Sequence, residues 1–169
     1  HRGPVNCLKI TKDGKECVSA SSDGSCIVWD LDRYVRLRAM FEPNVFTSVL
    51  YHPDESQVLT CGTNGNITYW DASDGQAIRV INSDAVFLQS LDVSSNGEYF
   101  VCGGQDKTVT LWHYDDGIPV GIGRGHSGSI NSLKLSPDQK SIVSVGSSGE
   151  IIFWEMPKEE EMRKYIENI

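Results

Sequence analysis

The sequence predicts an all-β chain of four repeated blades, each a small antiparallel sheet, and three observations predict it. Trp29, Trp70, Trp112 and Trp154 stand 41, 42 and 42 residues apart. Other residues keep register when counted back from each tryptophan: 28 positions before lie His1, Glu42, Asp84 and His126, and 4 further on come the apolar Val5, Phe46, Leu88 and Ile130. Apolar pairs spaced i, i+2 then recur at one shared offset, as Leu8/Ile10, Val49/Tyr51, Leu91/Val93 and Leu133/Leu135. That spacing puts both members of a pair on one face of a strand. A period of roughly 40 to 45 residues closing near a Trp-Asp pair marks one four-stranded propeller blade per repeat.

Each element follows from this frame. The first strand of a repeat ends at Asp13-Gly14, Asp54-Glu55, Asn96-Gly97 or Asp138-Gln139, where Asx and Gly residues supply the backbone angles of a tight hairpin. A second strand begins after each turn, with Cys17–Ala20 aligned to Val58–Cys61, Phe100–Gly103 and Ile142–Val145. A third strand ends in the tryptophan, and shorter outer strands are expected at Leu37–Phe41, Ala77–Ile81 and Ile118–Ile122. The blades are therefore 1–41, 42–83, 84–125 and 126–156, four blades of a larger β-propeller of about seven. No outer strand is expected after Trp154. Pro157 is followed by Lys158-Glu159-Glu160-Glu161, and an acidic first turn behind a proline starts helices. Met162, Tyr165, Ile166 and Ile169 then fall at i, i+3, i+4, i+7, so residues 157–169 are expected to form a short amphipathic helix.

Composition excludes several functions. Apolar content of 39% over 169 residues suits a soluble chain with a buried core. No stretch approaches the roughly 18 consecutive apolar residues that span a membrane, and no signal peptide opens the chain. It lacks an initiator Met and opens where a blade begins, which predicts that it is part of a longer polypeptide. The net charge of −8 and pI near 4.9 argue against nucleic-acid binding through phosphates. Arg33, Arg36 and Arg38 form a small basic cluster, read as a solvated edge. Cys7, Cys17, Cys26, Cys61 and Cys102 lie in expected strands with no Cys-x-x-Cys pair, so they are read as buried thiols in a reducing compartment rather than as a metal or redox site. The four histidines show no metal-ligand spacing, and no Ser, His and acid set looks poised for catalysis. No metal, cofactor, catalytic residue or enzymatic activity is expected.

The repeat resembles the WD-repeat family, in which a His at the blade start, a Ser or Thr in the second strand, an Asp in the next turn and the Trp bond in series. The resemblance implies such a structural relay at His1, Ser19, Asp23 and Trp29, and degraded versions elsewhere: Glu42, Thr60, Asn64 and Trp70; Asp84, Cys102, Asp106 and Trp112; His126, Ser144, Ser148 and Trp154. Loop residues Arg2, Asn44, Gln105, Lys107 and Ser127 are candidate partner contacts. The stretches HRGPVNCLKI, ECVSASSDGSCIVWDL, YHPDESQVLTCGTNGNITYWD, GGQDKTVTLWHYDDG and GHSGSINSLKLSPDQKSIVSVGSSGEIIFW further resemble the C-terminal half of a group of cilia- and flagella-associated WD-repeat proteins, through Trp154. The charged tail after Met156 departs from that pattern. The resemblance implies a cytoskeletal scaffold inside axonemal doublet microtubules, with tubulin and other luminal proteins as partners and the missing blades supplied by the same polypeptide. A cytosolic adaptor, such as a ubiquitin-ligase substrate receptor or signalling scaffold, is the alternative, because fold does not fix function.

Overall fold

A computed structural model describes residues 1–158 and Met162. Fifteen strands form four antiparallel sheets: β1 (Val5–Ile10), β2 (Glu16–Ser21), β3 (Ser25–Asp30) and β4 (Val35–Phe41); β5 (Phe46–Tyr51), β6 (Gln57–Gly62), β7 (Asn66–Asp71) and β8 (Ala77–Asn82); β9 (Leu88–Val93), β10 (Tyr99–Gly104), β11 (Thr108–His113) and β12 (Pro119–Arg124); β13 (Ile130–Leu135), β14 (Ser141–Gly146) and β15 (Ile151–Glu155). Sequence neighbours pair throughout, so every sheet is a meander, and the fourth has three strands among the described residues. The expected outer strands are present but displaced: β4 starts two residues early, because Asp30 pairs with Val35 across the turn, and β12 runs Pro119–Arg124 rather than Ile118–Ile122. The expected C-terminal helix falls almost wholly on residues 159–161 and 163–169, outside the described residues.

The chain divides into two units, His1–Gln89 and Ser90–Ile169. In the first, the β1–β4 and β5–β8 sheets pack face to face. Val18, Ala20, Cys26, Val28 and Met40 of one sheet meet Phe46, Val49, Val58 and Trp70 of the other in a single buried cluster. Burial of these side chains is the main stabilising term, at roughly 1.5–3 kcal/mol for each large aliphatic or aromatic residue. In the second unit, Val101, Val109, Leu111 and Val120 pack with Ile130, Leu133, Ile142 and Met162, and Trp154 lies against this cluster. In both units the tryptophan face of the later sheet is the face that packs on the earlier one.

The turns repeat as faithfully as the strands. Gly24, Gly65, Lys107 and Gly149, each five residues before its tryptophan, share the left-handed region, at φ 81°, 71°, 66° and 87°. Only glycine adopts that region without cost. Gly65 is the most constrained, since an added Cβ would overlap the Ala85 carbonyl oxygen. Gly65→Ala is expected to destabilise the first unit by more than the roughly 1–3 kcal/mol of backbone strain alone. Denaturant unfolding checks this, and an unchanged midpoint would refute it.

Candidate functional site

The groups that carry the repeat chemistry lie at one end of each sheet, where the strand entering the blade meets the turn between the second and third strands. In the first blade His1 Nε2 lies 2.6 Å from Ser19 Oγ, which accepts the Trp29 Nε1–H at 2.8 Å. His1 Nδ1 faces the Asp23 carboxylate at 3.2 Å and Ser25 Oγ at 3.0 Å. With the Nδ1–H tautomer the bonds run in one direction, indole to hydroxyl to imidazole to carboxylate. The histidine and aspartate side chains are 7% and 13% exposed, so each polar atom needs an internal partner. Asp23 also accepts the Arg2 amide at 2.5 Å and the Ser25 amide and hydroxyl at 3.0 and 2.6 Å. Desolvation pushes its carboxyl up, but the bonds from Ser25 and Arg2 outweigh it and hold the group well below the ordinary carboxylate range.

The other blades keep the Trp link and change the rest. Trp70 Nε1 donates to Thr60 Oγ1 at 2.8 Å. Glu42, in the histidine position, accepts from Thr68 Oγ1 at 2.6 Å, and Asn64 Nδ2 reaches its other oxygen at 3.5 Å. Trp112 Nε1 donates to Cys102 Sγ at 3.2 Å, and burial pushes that thiol up to about 12. Asp84 stays out of this series, with φ 60° and its amide bonded to Asn82, and Asp106 accepts from Thr108. In the fourth blade His126 Nε2 lies 2.6 Å from Ser144 Oγ, which accepts from Trp154 Nε1 at 2.8 Å.

Sequence reasoning placed Ser148 at the turn position of that blade; the carboxylate that comes nearest His126 is that of Glu150. Its Oε2 lies 3.5 Å from His126 Nδ1, and its Oε1 accepts the Ser127 amide at 2.9 Å and the Ser127 hydroxyl. Glu150 and Ser25 share one offset, four residues before the tryptophan, and that shared offset was the available signal for both. The longer glutamate reaches from the strand start to a site that aspartate fills from the turn.

The Ser127 hydroxyl and amide bring the Glu150 carboxyl down to about 2, against desolvation that raises it. A depressed folded pKa gives stability that is present above the ordinary value and lost as pH falls through the folded one. The stability difference between wild type and Glu150→Gln is therefore expected to persist at neutral pH and to fade between about pH 4.5 and 2. Thermal melts across that range test it; a difference that does not change with pH would contradict it.

A serine, histidine and carboxylate in line is also the order of a hydrolase triad. Here Ser19 and Ser144 are buried, and each hydroxyl already takes an indole N–H, so neither is presented to a substrate. Among the described residues no group of three His, Cys, Asp or Glu is placed to hold a metal, and no helix is long and apolar enough to cross a membrane. Burial raises the Cys17 and Cys26 thiols, so they stay protonated.

Of the candidate partner contacts, Arg2, Gln105, Lys107 and Ser127 are exposed, and Asn44 is half-buried. Asn44 Oδ1 accepts from Thr63 Oγ1 and the Asn64 amide at 3.0 and 3.2 Å, and Ser127 is bonded to Glu150, so these two also serve their own turns. The basic cluster is partly neutralised: Arg38 pairs with Glu16 at 2.5 Å, and Arg33 lies 3.9 Å from Asp30.

The model of the WD domain, G-beta repeat, matches residues 1–30, 38–71, 75–113 and 117–155. The chain belongs to the WD-repeat family. Each match after the first runs from the outer strand of one sheet to the third strand of the next, so the repeats are offset by one strand from the four sheets. The chain is 52% identical over 156 residues to cilia- and flagella-associated protein 52 of Chlamydomonas reinhardtii, covering 92% of the chain and 25% of that protein. It is 39% identical over 158 residues to the Homo sapiens protein of the same name, covering 93% and 26%. It is 24% identical over 161 residues to the target of rapamycin complex subunit wat1 of Schizosaccharomyces pombe, covering 91% and 51%. The chain thus spans about a quarter of the length of its ciliary relatives. WD repeats are scaffolds for protein–protein contact, and the family and these relatives point to a non-catalytic protein.

Proposed function

We propose that this chain is the blade-bearing part of a non-enzymatic scaffold of ciliary and flagellar axonemes, placed inside the doublet microtubule and contacting tubulin and other luminal proteins. The observation that carries the reading is the 52% identity over 92% of the chain to a cilia- and flagella-associated protein. The site geometry supports a structural role, because the buried polar groups are spent on holding turns rather than presented to a reactant. Exposed Arg2, Gln105 and Lys107 are the side chains placed for partner contact. Lys107 is held at φ 66° by its turn, and a rigid loop loses little entropy on binding. The chain is acidic overall, as a tubulin lattice is, so recognition runs through such local groups and apolar contact rather than net attraction.

The test is fractionation of demembranated cilia. A luminal protein is enclosed by the microtubule wall and stays with the axoneme in detergent and moderate salt. A cytosolic adaptor, the reading that similarity to a complex subunit such as wat1 would favour, is held by rim contacts that salt screens. Release with the soluble matrix would overturn the axonemal reading.

A further inference from the structure

The first unit holds a polar groove that the repeat itself does not call for. At the end of its sheets opposite the relay, the β1–β2 and β5–β6 hairpins and the turn after β7 border about 540 Å³, where the carboxylates of Asp13, Glu16, Glu55 and Asp71 stand with the cations of Lys15 and Arg38. Arg38 spans the two sheets, donating from Nη2 to Glu16 Oε2 at 2.5 Å and from Nη1 to the Ser73 carbonyl at 3.4 Å. Its Nε and the Tyr51 hydroxyl are buried and have no hydrogen-bond partner among the described residues. Counted from the tryptophans, Glu16, Arg38 and Tyr51 correspond to Tyr99, Gly121 and Leu135 of the second unit, whose sheets form without such groups. Ion pairs, exposed or buried, add little net stability, and a hydrogen-bond set built for folding leaves no donor over. The polar lining therefore answers to something other than the fold.

We propose that this groove receives an arginine side chain from a partner protein. Its carboxylates outnumber its cations, so it attracts positive charge. Glu16 Oε2 is taken by Arg38, and Glu55 Oε1 by the Lys12 amide at 2.5 Å; the second oxygen of each accepts no bond among the described residues. Among those residues no three His, Cys, Asp or Glu are placed to hold a metal ion, so the acids suit a cation that spreads its charge rather than a point charge. A guanidinium carries five N–H donors in one plane and meets two carboxylates at once. The groove already holds one such group, that of Arg38 between Glu16 and the Ser73 carbonyl, and its volume leaves room for a second beside it. Charge-assisted bonds to Glu16 and Glu55 would fix the partner's orientation. This site is independent of the axonemal reading.

Amide NMR of the dilute protein at physiological salt, titrated with N-acetyl-arginine methylamide, tests the proposal. Saturable shifts are expected at residues 11–16, 55–56 and 71–73, which border the groove, with β9–β12 unmoved. N-acetyl-citrulline methylamide, of the same shape without the charge, should move none of them. Glu16→Gln/Glu55→Gln should weaken binding of the arginine probe at least about tenfold, the scale of a hydrogen bond to a charged group. Asp32→Asn, at an exposed acid outside the groove, should match wild type. Equal binding of the two probes, unchanged affinity in the double variant, or arginine-induced shifts spread evenly over the acidic surface would overturn the proposal. If the double variant does not fold, the comparison of the two probes on wild type decides the question alone.

Discussion

Asp23→Ala is expected to destabilise the first unit by about 1–3 kcal/mol, the cost of leaving buried polar groups without partners. The carboxylate accepts from the Arg2 amide and from the amide and hydroxyl of Ser25, and it faces His1 Nδ1. Alanine strands all of these at once. Asp106→Ala is the matched control: Asp106 occupies the same turn position in the third blade, where Asp84 stands in the histidine position, and it accepts from Thr108, so its loss should stay within about 0.5 kcal/mol. Denaturant unfolding of both variants checks the contrast. Equal midpoints for Asp23→Ala and wild type would show that the relay does not hold the turn.

The second large effect is on association. In the first sheet Leu8 pairs with Ser19, and Phe41 with Ser25, on the face that carries Trp29 and looks away from Val28 and the buried cluster. Leu8, Ile10 and Phe41 there are 52%, 56% and 68% exposed. In the fourth sheet Ile151 and Phe153 alternate with Ile152 and Trp154, and they are 62% and 72% exposed. These are the kinds of surface that bury each other where two sheets pack, as Val28 and Trp70 do. The chain alone is expected to self-associate as concentration rises, because exposed apolar sheet faces of this kind seek cover. Analytical ultracentrifugation of wild type and Phe41→Lys/Phe153→Lys measures it, with the variant expected to shift toward monomer. A monodisperse wild-type monomer at high concentration would contradict the expectation.

Most of the sheet architecture was legible because strands announce themselves twice, through a two-residue apolar period and through turns that need left-handed residues. The second position of each first hairpin is left-handed in every blade, at Gly14, Glu55, Gly97 and Gln139, although only two of these are glycine. The Trp links to Ser19, Thr60 and Ser144 were implied by the resemblance to the WD-repeat family, and the structure sets each indole N–H against a hydroxyl ten residues earlier on the paired strand.

What the sequence hid was reach. Glu150 comes within 3.5 Å of His126 from two positions beyond Ser148, and Glu42 turns to Thr68 rather than Thr60, because side-chain length as well as residue class decides which neighbour is reached. Asp84, aligned with two histidines, is drawn away by its left-handed backbone. Met162 is buried against Val109, Leu111, Val120 and Ile142, a contact that only the packing of whole elements reveals.

The proposed place of the scaffold inside the doublet microtubule is tested by cryo-electron tomography of axonemes from cells with and without the protein. A luminal scaffold predicts loss of a repeating density within the doublet lumen, of a size to hold these blades, with the outer surface unchanged. A lumen identical in both, or loss confined to the outer surface or the soluble matrix, would contradict it.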